Sequence, residues 1–98
     1  MSPETLMITT IVLVQADPRR IRECAETLAG IDGVAEVYSV SGAWDLVAIL
    51  RVPDLDRIAE IVTHEFANVP GIERTQTLTA FRAYSKGDLA QAWDIGVE

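Results

Sequence analysis

Ser41-Gly42-Ala43-Trp44-Asp45-Leu46-Val47-Ala48-Ile49-Leu50-Arg51-Val52, residues 41–52, reads as a tight turn running into a strand. Ser, Gly and Asp are the residues that turns use for local hydrogen bonds and backbone freedom. The apolar, partly β-branched run from Leu46 to Val52 then predicts a strand. What flanks this unit decides the fold. Upstream, Asp32-Gly33 turns the chain into another strand over roughly Ala35 to Val40, so the turn at 41–45 joins two strands. Downstream, Pro53-Asp54 punctuates the chain, with Asp54 placed as the N-cap of a helix.

Reading outward, Leu55, Ile58, Ala59, Val62 and Phe66 are expected to form the buried stripe of that helix. Asn68, Pro70 and Gly71 end it, and Ile72 to Tyr84 is expected to be a strand. On the other side, Leu6 to Val14 is rich in Ile, Val, Leu and Thr and predicts the first strand. Asp17-Pro18 starts a helix with Asp as cap and Pro at the first position. Ile21, Cys24, Ala25 and Leu28 give it one apolar face, and Gly30 stands where a C-terminal cap belongs. The order is βαββαβ with a weak internal repeat. An Asp cap, an Ile four residues on (Ile21, Ile58) and a Gly-hydrophobic pair (Gly33-Val34, Gly71-Ile72) occur in both halves. Two interleaved βαβ halves make an α+β, ferredoxin-like sandwich, an antiparallel sheet with two helices on one face. The expectation is one ligand-binding and oligomerisation domain over 1–98, with a core at about 7–84 and a C-terminal tail at 85–98. Met7 is an alternative start, and Asp88 is expected to cap one helical turn through Trp93.

With both helices on one face, the other face of the sheet is bare, and its strands should alternate apolar with polar. Leu46-Val47-Ala48-Ile49-Leu50 and Ile11-Val12-Leu13-Val14 do not alternate. An apolar sheet face demands a cover, either the tail (Leu89, Trp93, Ile95) or, in the preferred reading, the same face of a second copy.

Fifteen acids against eight bases give a net charge of −7, which repels phosphate backbones, so nucleic acid is not an expected direct partner. No run is long enough to span a bilayer, and no signal peptide is visible. A single cysteine forms no intrachain disulfide, which fits a reducing, cytoplasmic setting. No Gly-rich phosphate loop, CxxC pair or nucleophile elbow is present, so no catalytic residue, cofactor or metal is expected. Glu60 and His64 share i, i+4 spacing, but one such pair reads as a solvated face. Arg19, Arg20 and Arg22 are answered by Glu23 and Glu26 and read the same way, while Cys24 reads as a small core residue.

The loop Gly42-Ala43-Trp44-Asp45 carries the functional reading. Ordinary turn composition explains it, yet Gly42 also admits a ligand close to the backbone, and Asp45 offers a carboxylate to a cation. Trp44 requires a pocket, a ligand or a neighbour for its ring. Thr75-Gln76-Thr77, at the start of the last strand, is normal strand composition with side chains able to hydrogen-bond a polar ligand.

From about Met7 to Tyr84 the chain resembles the effector (RAM) domain of the Lrp/AsnC transcription regulators. The resemblance rests on Val40-Ser41-Gly42-Ala43-Trp44-Asp45-Leu46, similar to the family's Gly-x-aromatic-Asp loop, and on Leu55 with Ile58, Val69-Pro70-Gly71-Ile72 and Thr75-Gln76-Thr77-Leu78 in order. It implies a sheet-to-sheet homodimer, assembly into octamer- or decamer-like rings, and an amino-acid site between dimers. Gly42, Ala43, Trp44 and Asp45 would hold the ligand, and Thr75, Gln76 and Thr77 would come from a neighbouring subunit. With no helix-turn-helix segment in the sequence, the chain looks like a stand-alone member that senses independently or joins a full-length regulator. Ala43 fills a position that is often polar in the family. The rivals are a dimeric α+β barrel enzyme, which needs polar groups over the sheet, and a ligand-free scaffold.

Overall fold

A computed structural model describes residues 7–86. It contains β1 (Ile8–Ala16), α1 (Ile21–Ala29), β2 (Val34–Ser39), β3 (Leu46–Val52), α2 (Leu55–Glu60) and β4 (Ile72–Thr79). The four strands form one antiparallel sheet in the order β2-β3-β1-β4, the expected ferredoxin-like arrangement. In β1 the even positions Thr10, Val12, Val14 and Ala16 are buried; in β3 the buried positions are Leu46, Ala48, Leu50 and Val52. Cys24 and Leu28 of α1 and Ile58 of α2 join them in one core.

Both helix starts use the expected caps. The Asp17 side chain accepts from Arg19 N at 3.0 Å and the Asp54 side chain from Arg57 N at 2.8 Å. The first begins with a 3₁₀ turn at Pro18–Arg20 before α1 proper.

Several boundaries and faces differ from the sequence expectations. β1 runs to Ala16 rather than Val14, because β4 goes on pairing with Gln15 and Ala16 after the β3 pairing has ended at Val14, and the Asp45 carboxylate takes up the Ala16 N–H there. β4 stops at Thr79 instead of Tyr84. Its last neighbour bond is Ala80 N to Thr9 O, 3.0 Å, and β1 begins only one residue before Thr9. The stripe of the second helix is also corrected: Leu55 is 63% exposed and Ala59 is exposed, while Ile61 is fully buried. After α2 the backbone passes through a wider π turn, Ile61–Glu65, and a 3₁₀ turn, Phe66–Asn68. The extra residue in the π turn lets Ile61 and Phe66, five apart, face the core together, which i, i+4 spacing misses. The expected helical turn from Asp88 lies outside the described residues.

The internal repeat has a structural counterpart. In β2, Val34 pairs with Leu50 and Glu36 with Ile49, so Ala35 is an extra residue. In β4, Ile72 pairs with Ala16 and Arg74 with Gln15, so Glu73 is extra in the same place. Each bulge follows a glycine at positive φ, Gly33 (+102°) and Gly71 (+96°). A Cβ on Gly33 would lie 2.9 Å from Ile61 Cδ1, and one on Gly71 would lie 2.9 Å from Cys24 Sγ. Each half therefore closes its sheet entry against the helical segment of the other, at a point where no side chain fits.

One core group is unsatisfied. Thr10 is fully buried, and its hydroxyl has no hydrogen-bond partner among the described residues. An orphaned hydroxyl in an apolar core costs about 1–3 kcal/mol. Thr10→Val, which keeps the β-branched shape, is expected to raise stability by about 1 kcal/mol. The check is the denaturant midpoint at fixed protein concentration, which should rise with the slope unchanged.

Candidate functional site

Between β2 and β3 the chain must turn beside the end of β1 without leaving the amides there unpaired. Asp45 solves this with both its backbone and its side chain. Its N–H donates to Val14 O at 2.9 Å, its carbonyl accepts from Val40 N at 3.0 Å, and its Oδ2 accepts from Ala16 N at 2.9 Å. The carboxylate thus supplies the rung of the β1–β3 ladder that the backbone no longer provides. Gln15 Nε2 donates to Ala43 O at 2.8 Å and ties the next loop residue to the same strand. The Arg74 guanidinium lies over the Trp44 ring, 4.6 Å from its centroid, a cation–π contact that joins the loop to β4.

The predicted loop residues Gly42, Ala43, Trp44 and Asp45 are accordingly together at one end of the sheet. Gly42 and Ala43 are exposed and Trp44 and Asp45 half-buried. Gly42 has φ +112°, and nothing lies within 4 Å of where its Cβ would be.

Thr75, Gln76 and Thr77 divide by strand alternation. Gln76 pairs with Leu13 on the open face, whereas Thr75 and Thr77 pair with Val14 and Val12 on the helix side. Within one chain they lie on β4, separated by β1 from the strand that follows the loop.

Sequence reasoning missed Gln15 and Arg74. Neither carries a local signal, since a glutamine at a strand end and an arginine on an edge strand are ordinary. Only the β1–β4 register, which pairs Gln15 with Arg74 on one face, brings them to the loop.

The open face holds Ile11, Leu13, Val47 and Ile49 at its centre, with Tyr38 51% and Leu78 41% exposed at its flanks. Glu36 sits at its edge, bonded by the Tyr38 hydroxyl and by Arg51 at 3.3 Å. The Tyr38 hydroxyl first, and Arg51 after it, hold the Glu36 carboxyl below the usual carboxylate range.

The other candidates are structural. Cys24 is buried, its Sγ donates to Pro70 O at 3.3 Å, and burial pushes the thiol up, away from a nucleophilic thiolate. Glu60 lies 3.5 Å from Arg57, and Arg57 also binds Glu65 at 2.7 Å, while His64 is exposed. Arg19 pairs with Asp17 and Arg22 with Glu26. Among the described residues no group of three or more His, Cys, Asp or Glu could hold a metal, and no helix is long and apolar enough to cross a membrane.

The fold and this loop can be set beside known proteins. Residues 9–89 match the family model of the Lrp/AsnC ligand binding domain. The HTH-type transcriptional regulator PH1916 of Pyrococcus horikoshii is 36% identical over 76 residues, which cover 74% of this chain and 51% of that protein. The chain thus spans about half the length of the curated relatives it matches. Among solved structures, TTHA0845 of Thermus thermophilus is 44% identical with a TM-score of 0.77, over 82% of this chain and all (100%) of that one. The transcriptional regulator NMB0573 of Neisseria meningitidis, solved as a complex with L-Met, shares the fold at 17% identity, with a TM-score of 0.74 over 87% of this chain and 58% of that one. The Gly42–Asp45 loop, the βαββαβ order and the match over residues 9–89 converge, and the chain belongs to the Lrp/AsnC ligand-binding domain family.

Proposed function

We propose that this chain is an oligomeric amino-acid-sensing module that acts on transcription through assembly, with no DNA contact of its own. The observation that carries the proposal is the loop at Gly42–Asp45: an open backbone at Gly42, beside an aromatic ring and a carboxylate, anchored to the sheet at Gln15 and Ala16. The neisserial relative of the same fold was solved with L-Met, which supports a free amino acid as the ligand class. In this reading Asp45 takes the α-ammonium group, the amides around Gly42 meet the carboxylate, and Thr75, Gln76 and Thr77 complete the site from a neighbouring subunit. The dimer forms through the open sheet faces and builds octamer- or decamer-like rings, either alone or with a full-length family regulator. Beyond β4, Phe81 and Tyr84 are 99% and 75% exposed, further apolar surface that assembly would cover. The Asp45–Ala16 bond favours a second reading, a scaffold in which the loop only closes the ladder.

The assembly is tested on β3. Ile49 faces the open side and its neighbour Leu50 is fully buried under the helices. Ile49→Lys is therefore expected to reduce the assembly to a species of 10.7 kDa by light scattering while leaving the fold intact. A parent protein that already scatters as a single chain would defeat the dimer.

The loop is tested on Asp45. Asp45→Ala orphans the Ala16 N–H and is expected to cost about 1–3 kcal/mol of stability whatever the function. Asp45→Asn keeps an acceptor for Ala16 and removes only the charge. If Asp45 holds an ammonium group, calorimetry should show the Asn variant binding its amino acid about ten- to a hundredfold more weakly. Unchanged affinity, or no thermal shift with any of the twenty amino acids at millimolar concentration, favours the scaffold. The 98-residue chain, at a net charge of −7, is also expected to give no shift of duplex DNA at low salt.

A further inference from the structure

The charge pattern at the loop is asymmetric in a way the sensing reading leaves unexplained. Arg19, Arg22, Arg51 and Arg57 each face a carboxylate within 4 Å. Arg74, like Arg20, Arg82 and Lys86, has no ion pair among the described residues, but of these four Arg74 alone is held against a ring. Its guanidinium carbon lies over the Trp44 ring instead, 4.6 Å from the centroid, beside the loop. Stacking occupies a face of the guanidinium plane and leaves the in-plane N–H edge for hydrogen bonds. That edge is the fork that matches a carboxylate in bidentate fashion.

Several contacts hold this fork in place. Arg74 is fixed opposite Gln15 by the β1–β4 register, directly after the bulge at Glu73. Gln15 holds Ala43 O at 2.8 Å, and Ala43 positions Trp44 beneath the guanidinium. Asp45, one residue on, is tied to Ala16, the β1 residue after Gln15. The four side chains Gln15, Trp44, Asp45 and Arg74 thus form one braced cluster, in which the Asp45 carboxylate is committed to Ala16 N and Arg74 makes no ion pair. A preorganised guanidinium loses less freedom on binding than a free side chain does.

We propose that Arg74, stacked on Trp44, is the group that binds the carboxylate of the amino-acid ligand and so selects free amino acids over their amides. The proposal rests on the sensing reading of the Gly42–Asp45 loop. It adds to that reading a side-chain partner for the carboxylate, which Arg74 binds together with the amides around Gly42, while the ammonium goes to Asp45. A ligand lacking the carboxylate leaves the stacked cation unpaired.

The test titrates the parent protein with each of the twenty free amino acids and with the α-amide of each, by calorimetry. A second readout is Trp44 emission in a Trp93→Phe background, since a carboxylate drawn onto Arg74 changes the cation over that ring. The expected result is that the amides of the binding amino acids bind at least about tenfold more weakly than the free acids. Arg74→Gln should then weaken the free acid about ten- to a hundredfold and leave the amide unchanged, erasing the discrimination. Arg74→Lys, with the charge but not the fork, should fall between. Acid and amide binding the parent equally would overturn the assignment to Arg74 while leaving amino-acid sensing in place. So would Arg74→Gln that stays folded with full affinity for the acid, which would make Arg74 a pin for the loop. Should Arg74→Gln fail to fold, the comparison of acid with amide on the parent still decides. If no free amino acid binds at millimolar concentration, the carboxylate role and the sensing reading fall together.

Discussion

β1 is the strand on which everything else is hung. From Thr10 to Val14 each of its residues is paired on both sides, with β3 and with β4. Such a strand usually finds its register from alternation, because a slip of one residue sends every apolar side chain to the wrong face. Here alternation cannot do this. Val12 and Val14 face the helices while Ile11 and Leu13 face the other way, and both sets are apolar. Register must come from polar contacts at the strand ends. The Asp45 carboxylate on Ala16 N fixes β1 against β3, and Gly71 O accepting from Asp17 N at 2.8 Å fixes the entry to β4.

Those end contacts coincide with the places where the two halves of the chain resemble each other. Gly33 and Gly71 each precede a one-residue bulge, and each admits a side chain of the opposite half where a Cβ would collide. A bulge increases local twist and re-aims the residues that follow it. In β4 the residue that follows is Arg74, brought opposite Gln15 and over Trp44. In β2 it is Glu36, brought opposite Ile49 and bonded to Arg51 at the rim of the open face. The same backbone device therefore places a charged residue beside the loop in one half and at the margin of the apolar face in the other.

The loop has one duty that its hydrogen bonds show and a second that we propose, and its composition does not separate them. Asp45 completes a ladder, and a carboxylate committed to one amide by Oδ2 is stiffer and better oriented than a solvated one. Structural closure and ligand capture are compatible when the first fixes the geometry that the second needs. The chain belongs to the Lrp/AsnC ligand-binding domain family, and the proposed capture of a ligand would use the geometry that the ladder closure already fixes.

The element order was legible from the residues alone. Asp17 and Asp54 as caps, the apolar stripe at Cys24 and Leu28, and the strand Leu46–Val52 need only local chemistry and short-range periodicity, and the folded chain has them. The doubly apolar central strands were equally plain, because alternation is a property of sequence. Tertiary structure decided which face each residue takes and which residues meet. Leu55 is exposed at the first position of α2, and Ile61 shares the core with Phe66 because the π turn between them brings residues five apart to one face, a spacing that i, i+4 counting does not register. β4 ended at Thr79 because a strand persists only as long as its neighbour, and β1 starts at Ile8. Gln15 and Arg74 joined the loop through the β1–β4 register, which shifts at the bulge at Glu73. Loop composition singled out Gly42 to Asp45 as a candidate, but pairing between distant strands determined what surrounds that loop, and such pairing leaves no trace in local sequence.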